Sequence, residues 1–155
     1  MPLDLSKQQR RRASLLSAIA WAVVTIACGE FVGGTDKAQH GVDGFHTLYN
    51  SRQFDAIYRG ADKDFRGSVT NAQLQRLLET SRTHLGKQLA STPVVIGYQS
   101  FNLRSYVTAS TVTTYEHGKG TETFVFSLSN GKAALHSYNL DSTDLILLNK
   151  GTITL

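Results

Sequence analysis

Hydrophobic residues after position 41 recur at helical spacing through the first half of the chain. The series is interrupted at Asn50-Ser51, so the pattern predicts either one kinked helix or two short ones. The apolar positions of this stretch are Val42, Phe45, Tyr49, Phe54, Ile57, Tyr58 and Ala61.

A further helix is predicted to begin after Thr70. Thr70 and Gln73 form a capping-box pair, in which each side chain satisfies a backbone N–H group of the first turn. Gly86 is placed to end this helix. Between these limits a single apolar stripe is formed by Leu74, Leu77, Leu78 and Leu85.

From Ser91 onward the chain is rich in Val, Thr, Tyr and Phe, which suit a half-buried strand surface. Asn130-Gly131 predicts a tight hairpin, because both residues tolerate the positive φ of a type I′ turn. Residues 117–120 supply another turn. The predicted strands are 93–99, 103–116, 121–129 and 133–140, while 145–148 and 152–155 add an edge strand or a docked tail.

Helices followed by an antiparallel meander predict an α+β domain, with the N-terminal helices packed on a curved antiparallel sheet of about four strands. Alternation places Phe124, Phe126 and Leu128 on one face, which we take as the core side. A curved sheet leaves room for a pocket beneath the helices. The candidate pocket residues are Phe124, Phe126, His136 and Tyr138, of which His136 faces either the pocket or water.

The N-terminal segment predicts export across a membrane. The uncharged run Ala13–Gly29 follows three arginines and ends in small residues, as secretory signals do. Its 17 residues match the lower edge of the roughly 17–25 that cross a bilayer as a helix. We therefore predict a signal peptide or membrane anchor over 1–29, a flexible Gly-rich tether over 30–41, and the α+β domain over 42–155.

Cys28 bears on how the chain is held at the membrane. It is the only cysteine, so an intramolecular disulfide is excluded. Ala27-Cys28-Gly29 resembles the site at which bacterial lipoproteins are lipidated, although Thr25 stands where a large aliphatic residue is usual. Lipidation of Cys28, an uncleaved anchor and cleavage after Ala27 are the alternatives. In each, the basic N-terminus stays cytoplasmic and the domain faces the periplasm.

The net charge of +4 does not indicate a nucleic-acid partner, because it lies mostly ahead of the apolar run. Without the first 29 residues, 12 basic and 11 acidic residues remain, and they are interspersed. A nucleic-acid-binding surface needs clustered Lys and Arg. We therefore expect no nucleic-acid partner, and a bacterial envelope protein that contacts the membrane and a protein in the envelope.

Several phrases together are similar to the cystatin/nuclear-transport-factor-2-like superfamily, and more narrowly to small bacterial lipoproteins of that shape. They are residues 49–58 (YNSRQFDAIY), the acidic bend 62–66, the Thr-capped helix ending at Leu85-Gly86, and the long strands that follow. The resemblance covers about residues 40–142. It implies a cone-like fold with a cavity, in a superfamily that includes both enzymes and binding modules.

No motif in the sequence predicts a metal, a cofactor or a catalytic group. Asp62 and Asp64 match the start of a calcium loop, but Arg66 and Gln73 occupy its fifth and twelfth positions, where oxygen ligands are needed. The histidines form no zinc-type pair. By analogy with the superfamily, the acid/base candidates are Asp55, Tyr58 and His136, with Asp55 expected at the surface beside Arg52 or Arg59.

The favoured hypothesis is a non-catalytic, envelope-tethered binding or assembly module. One alternative is a small enzyme of the isomerase or dehydratase kind, which requires a buried titratable group with a polar partner in a pocket. Another alternative is an accessory subunit of a membrane complex, held by an uncleaved N-terminal helix.

Overall fold

The computed structural model describes residues 24–145 and 153–154. In this part of the chain, helices come first and an antiparallel sheet follows, so the predicted α+β class is confirmed. The helices are α1 (Val24–Asn50), α2 (Phe54–Gly60), α3 (Lys63–Ser68) and α4 (Asn71–Leu85). The strands are β1 (Gln88–Phe101), β2 (Arg104–Tyr115), β3 (Gly118–Ser129), β4 (Lys132–Asp141) and β5 (Ile153–Thr154).

Helix α1 differs from the prediction because it includes residues 30–41, where we expected a flexible tether. The compact unit that holds the core begins at Gly34. Gly34 and Ala38 are buried and extend the stripe of Val42 and Phe45 by two helical turns. A Cβ on Gly34 would lie 3.4 Å from Val107 Cγ2, an ordinary van der Waals contact, so this position of the helix lies directly on the sheet.

The predictions for the N-terminal segment concern residues that the structure describes only in part. Residues 1–23 are outside the described residues, and the backbone of Cys28 lies in α1. The signal or anchor over 1–29 and the lipidation of Cys28 therefore stay predictions. Among the residues that the structure does describe, no helix is both long and apolar enough to cross a membrane.

The local signals in the helical region produce the helices they predict. Helix α1 ends at Asn50 and α2 begins at Phe54, so the interruption of the hydrophobic pattern at Asn50-Ser51 corresponds to two separate helices. Asp62 caps α3 by accepting a hydrogen bond from the Phe65 backbone N–H at 2.8 Å, so the calcium-like phrase forms a capped turn. Thr70 and Gln73 form the predicted capping box of α4, and Gly86 ends that helix at a φ of 81°.

The five strands lie in the order of the chain, and every neighbouring pair is antiparallel. The turn between β3 and β4 has positive φ at both Asn130 and Gly131, in keeping with the predicted type I′ hairpin. The fifth strand is short and pairs Asn139 and Leu140 of β4 with residues 154 and 153. The predicted sheet of about four strands thus gains one short edge strand.

One face of α1 packs against the inner face of the sheet through aromatic rings. The Phe45 ring lies 5.1 Å from that of Phe124 and 4.7 Å from that of Tyr138. Tyr49 contacts Tyr115 at 6.0 Å. The alternation along β3 places Phe124 and Phe126 in the core, as predicted, and helix α4 adds its four buried leucines.

A β-bulge shifts the pairing of β3 and β4 after Val125, where Ser137 is the partner, so that Phe126 pairs with Leu135. His136 is the extra residue. Because a bulge changes the phase of alternation, Leu135, Tyr138 and Leu140 all point into the core, while His136 does not.

Candidate functional site

An apolar groove of about 190 Å³ opens between α1, α2 and the inner face of the sheet. Phe45, Leu48, Ile57, Phe126 and Leu135 supply its hydrophobic lining, and His40 stands at the same groove. Three glycines, Gly41, Gly44 and Gly60, complete the walls. The groove therefore offers a small hydrophobic surface that the chain's own core leaves uncovered.

The glycines determine the width of the groove. A Cβ on Gly41 would lie 2.7 Å from the Phe126 ring, so only glycine lets this ring reach α1. Cβ atoms on Gly44 and Gly60 would meet nothing within 4 Å, because the space beside them is the open groove. Substitutions at Gly44 and Gly60 would consequently fill the groove without displacing the core.

The volume of the groove limits what it can hold. A cavity of roughly 150 Å³ accommodates one benzene molecule, whereas pockets for drug-sized ligands usually enclose roughly 300–1,000 Å³. At about 190 Å³ the groove fits a single aromatic ring or branched aliphatic group.

A buried polar network lies in the core beside the aromatic rings. Glu122, on the inner face of β3, is 1% exposed, and His46 of α1 is 4% exposed. The Glu122 carboxylate lies 2.7 Å from His46 Nε2, and it accepts hydrogen bonds from Thr113 Oγ1 at 2.5 Å and the Tyr138 hydroxyl at 2.7 Å. Each carboxylate oxygen thus has a donor, as a buried charge requires.

Electrostatics keep this carboxyl ionised. Burial raises the pKa of Glu122. The hydrogen bond and charge of His46, together with the hydrogen bonds from Thr113 and Tyr138, lower the pKa by more than burial raises it, so the net shift is downward. Burial raises the pKa of Tyr138 well above its ordinary value, and the nearby Glu122 charge adds to this shift. Tyr138 therefore stays protonated and donates to the carboxylate.

The network has the groups of an acid/base site, but among the described residues it is separate from the apolar groove. Neither His46 nor Glu122 lines the apolar groove, whose lining includes Phe45 and Phe126. The His46 ring instead packs against Phe124 at 5.8 Å and lies 6.0 Å from the Phe45 ring. In this geometry the network fixes α1 against β3.

A second polar cluster surrounds His136 on the other face of the sheet. His136 Nδ1 lies 2.8 Å from Asp62 Oδ2, and the His136 ring packs on Tyr106 at 4.9 Å. Burial raises the pKa of Asp62, but bonds from the Phe65 backbone N–H and His136 outweigh it and lower the pKa. This pair ties the turn before α3 to the bulge of β4.

Asp62, Asp64 and His136 place ligand atoms within 4.8 Å of one another, a spacing that could hold a metal ion. However, Arg104 Nη1 lies 2.5 Å from Asp64 Oδ2. A guanidinium at this distance occupies one of the carboxylate ligands and repels a cation. The hydrogen bond between His136 and Asp62 and the ion pair between Arg104 and Asp64 already engage all three side chains.

The structure separates the residues that the sequence grouped as a candidate pocket. Phe124, Phe126 and Tyr138 share the inner face, but only Phe126 lines the groove, and His136 lies in the bulge away from it. Of the acid/base candidates, Asp55 pairs at the surface with Arg59 at 2.7 Å, as expected. Tyr58 donates to the Arg66 carbonyl at 3.3 Å.

Sequence reasoning missed both His46 and Glu122. The signal for Glu122 was present, because it alternates in phase with Phe124 and Phe126 and so belongs to the core face of β3. A carboxylate in that phase requires a buried partner. Nothing in the sequence indicated that His46 would be this partner, since 76 positions separate the two residues.

Comparison with known proteins returned no match. No family model matches the chain, and no curated protein or solved structure is significantly similar to it.

Proposed function

We propose that this chain is an envelope-tethered, periplasm-facing module that binds a partner protein by accepting one apolar side chain in the groove between α1, α2 and the sheet. The observation that carries the proposal is the groove itself, an apolar depression with glycine walls. Its volume of about 190 Å³ suits one side chain better than a whole metabolite. The cone-like fold of the cystatin/nuclear-transport-factor-2-like superfamily belongs to the same proposal.

The rigidity of the lining supports binding of this kind. Phe45 and Phe126 are 5% and 3% exposed and are held by the core beneath them. A groove that is formed before the partner arrives loses little conformational entropy on binding.

Binding is tested with toluene as a probe for an apolar side chain. The full chain in lipid nanodiscs is titrated while the methyl NMR signals of Ala56, Ile57 and Leu135 are followed. We expect saturable shifts that vanish in Gly44→Leu, which fills the groove, and persist in Asp43→Leu, which changes the exposed neighbouring position. Shifts that are absent in the wild type, or unchanged by Gly44→Leu, would contradict the proposal.

The tether is tested by mass spectrometry of the protein from its native membrane. A diacylglyceryl-modified Cys28 as the new N-terminus supports lipidation. An intact Met1 instead supports an uncleaved anchor, as the accessory-subunit alternative requires. A soluble chain with an intact Met1 and no lipid would refute any tether.

The enzyme alternative is favoured by one observation, the buried His46–Glu122 pair. That alternative requires reagents to reach the pair, whereas the binding proposal assigns it to packing. Reaction with diethylpyrocarbonate, read by mass spectrometry, separates the two, with the exposed His40 as internal reference. Modification of His46 at a rate similar to that of His40 would support the enzyme, and protection of His46 would support the binding module.

A further inference from the structure

The turn between β1 and β2 exposes two large hydrophobic residues. Phe101 is 70% exposed and Leu103 is 106% exposed, higher fractions than for the other large apolar side chains that the structure describes. We call Phe101, Asn102 and Leu103 the hairpin tip. The described part of the chain therefore leaves both side chains largely uncovered.

The backbone of the hairpin tip makes this exposure more unusual. Asn102 and Leu103 have φ values of 49° and 62°, the left-handed conformation of a type I′ turn. Glycine is the preferred residue at the second position of such a turn, and leucine is strained there. A strained backbone that holds an exposed apolar side chain at a turn is a reason to look for a contact made by that side chain.

Charged side chains flank the hairpin tip. Leu103 lines one cleft with Lys63, Arg104 and Ser129, and with two acidic residues, Asp62 and Asp64. Asp64 is paired with Arg104 and Asp62 with His136, whereas Lys63 is exposed. Ser129 pairs with the exposed Lys132 across the β3–β4 turn, which lies at the same end of the sheet. Apolar residues at a tip with lysines beside it are the composition of segments that enter the interface of an anionic bilayer.

The chain enters the domain near this end of the sheet. Gly34 of α1 packs beside Tyr98 and Val107, which pair with each other three residues before the tip, or roughly 10 Å away. The opposite end of β2, at Tyr115, is eight residues from Val107, roughly 27 Å. Gly34 is the first residue of the compact unit, so the chain joins this unit near the end of the sheet that carries the hairpin tip.

We propose that the hairpin tip inserts Phe101 and Leu103 into the surface of the bilayer that holds the N-terminal segment, with Lys63 and Lys132 facing anionic headgroups. This inference rests on the proposed tether. It adds a second membrane contact that would fix the orientation of the domain, and with it the direction in which the apolar groove opens.

The test uses the depth of a tryptophan in the membrane. Trp21, in the apolar segment, is the only tryptophan of the chain. The full-length protein is reconstituted in phosphatidylcholine/phosphatidylglycerol vesicles that carry brominated acyl chains, which quench nearby tryptophans. Three forms are compared: wild type, Trp21→Phe with Leu103→Trp at the tip, and Trp21→Phe with His117→Trp at the opposite turn as matched control.

We expect the tryptophan at position 103 to lose most of its emission in brominated vesicles, and the one at position 117 to keep it. Emission from position 103 that is no more quenched than that from position 117 overturns the inference and leaves the tip to a protein partner. Flotation with the vesicles reports on the tether separately, also for a chain lipidated at Cys28, which lacks Trp21. A form that floats with the vesicles but has an unquenched tip keeps the tether and removes only the second contact, whereas failure of every form to float contradicts the tether itself.

Discussion

Substitution Glu122→Gln tests whether the buried network stabilises the fold as an ionised unit. The carboxylate has three close partners, His46, Thr113 and Tyr138, at 2.5–2.7 Å. A hydrogen bond to a charged group contributes about 1.5–3 kcal/mol, and a neutral one about 0.5–1.5 kcal/mol. The difference is about 1–1.5 kcal/mol per bond, so replacing three charged bonds by neutral ones costs about 3–4.5 kcal/mol. The amide nitrogen adds to this loss, because it donates at a place where the carboxylate oxygen accepted.

A loss of this size is readily measured. For a chain of this length it lowers the melting temperature by roughly 6–18 °C, as followed by circular dichroism of the full chain in nanodiscs. The matched control is Glu79→Gln, because Glu79 pairs with Arg52 at 2.5 Å on the surface with both side chains about half exposed. An exposed pair contributes about 0–1 kcal/mol. If Glu122→Gln costs no more than Glu79→Gln, the reasoning about the network is refuted.

The pH dependence of this loss has a definite sign. The folded pKa of Glu122 lies below its ordinary value of 4.5, so the unfolded chain binds the proton more tightly. The carboxylate therefore stabilises the fold above the unfolded pKa, and this stabilisation is lost as the pH falls through the folded pKa. The stability difference between wild type and Glu122→Gln should be constant at neutral pH and shrink below about pH 4.5. A difference that grows on acidification would contradict the downward shift.

Three further predictions use the same melting assay. Gly41→Ala should destabilise the domain by about 1–3 kcal/mol, because the new Cβ meets the Phe126 ring at 2.7 Å. Gly44→Ala places its Cβ in open space and should instead stabilise the domain by up to about 1 kcal/mol through helix propensity. Equal effects of the two substitutions would contradict the groove geometry. Thr70→Ala should cost about 1 kcal/mol by removing the capping box, and no loss would show that α4 does not need it. Leu103→Gly should stabilise the hairpin by up to about 1 kcal/mol, because glycine adopts its φ of 62° without strain, and a loss would mean that the Leu103 side chain contacts its own domain.

The sequence predicted those structural elements that are stabilised by interactions between residues close together in the chain. The capping box of Thr70 and Gln73 depends on residues three positions apart, and the turn at Asn130-Gly131 depends on two adjacent residues. In both cases the interacting groups are neighbours in sequence, so the local sequence alone is enough to predict the structure.

The features that the sequence did not predict depend on contacts between distant segments. Residues 30–41 contain several glycines, which favour a flexible chain, yet they lie in α1. At Gly41 the missing Cβ lets α1 approach the Phe126 ring, a contact with a distant strand that local sequence does not show. The bulge at His136 is fixed by the pairing of β3 with β4, and a regular alternation along β4 cannot show it. This is why the predicted pocket included His136 and omitted Gly41, Gly44 and Gly60.

Helix α1 connects the buried network with the groove, because adjacent residues of one turn serve both. His46 is held by Glu122 of β3, and its neighbour Phe45 lines the groove while packing on Phe124. An apolar contact tolerates sliding of the helix along the sheet, whereas a charged hydrogen bond at 2.7 Å does not. The His46–Glu122 pair therefore sets the register of α1, and that register brings Gly41 against the Phe126 ring and leaves Gly44 beside open space. The buried polar contact between His46 and Glu122 thus helps to position the apolar groove.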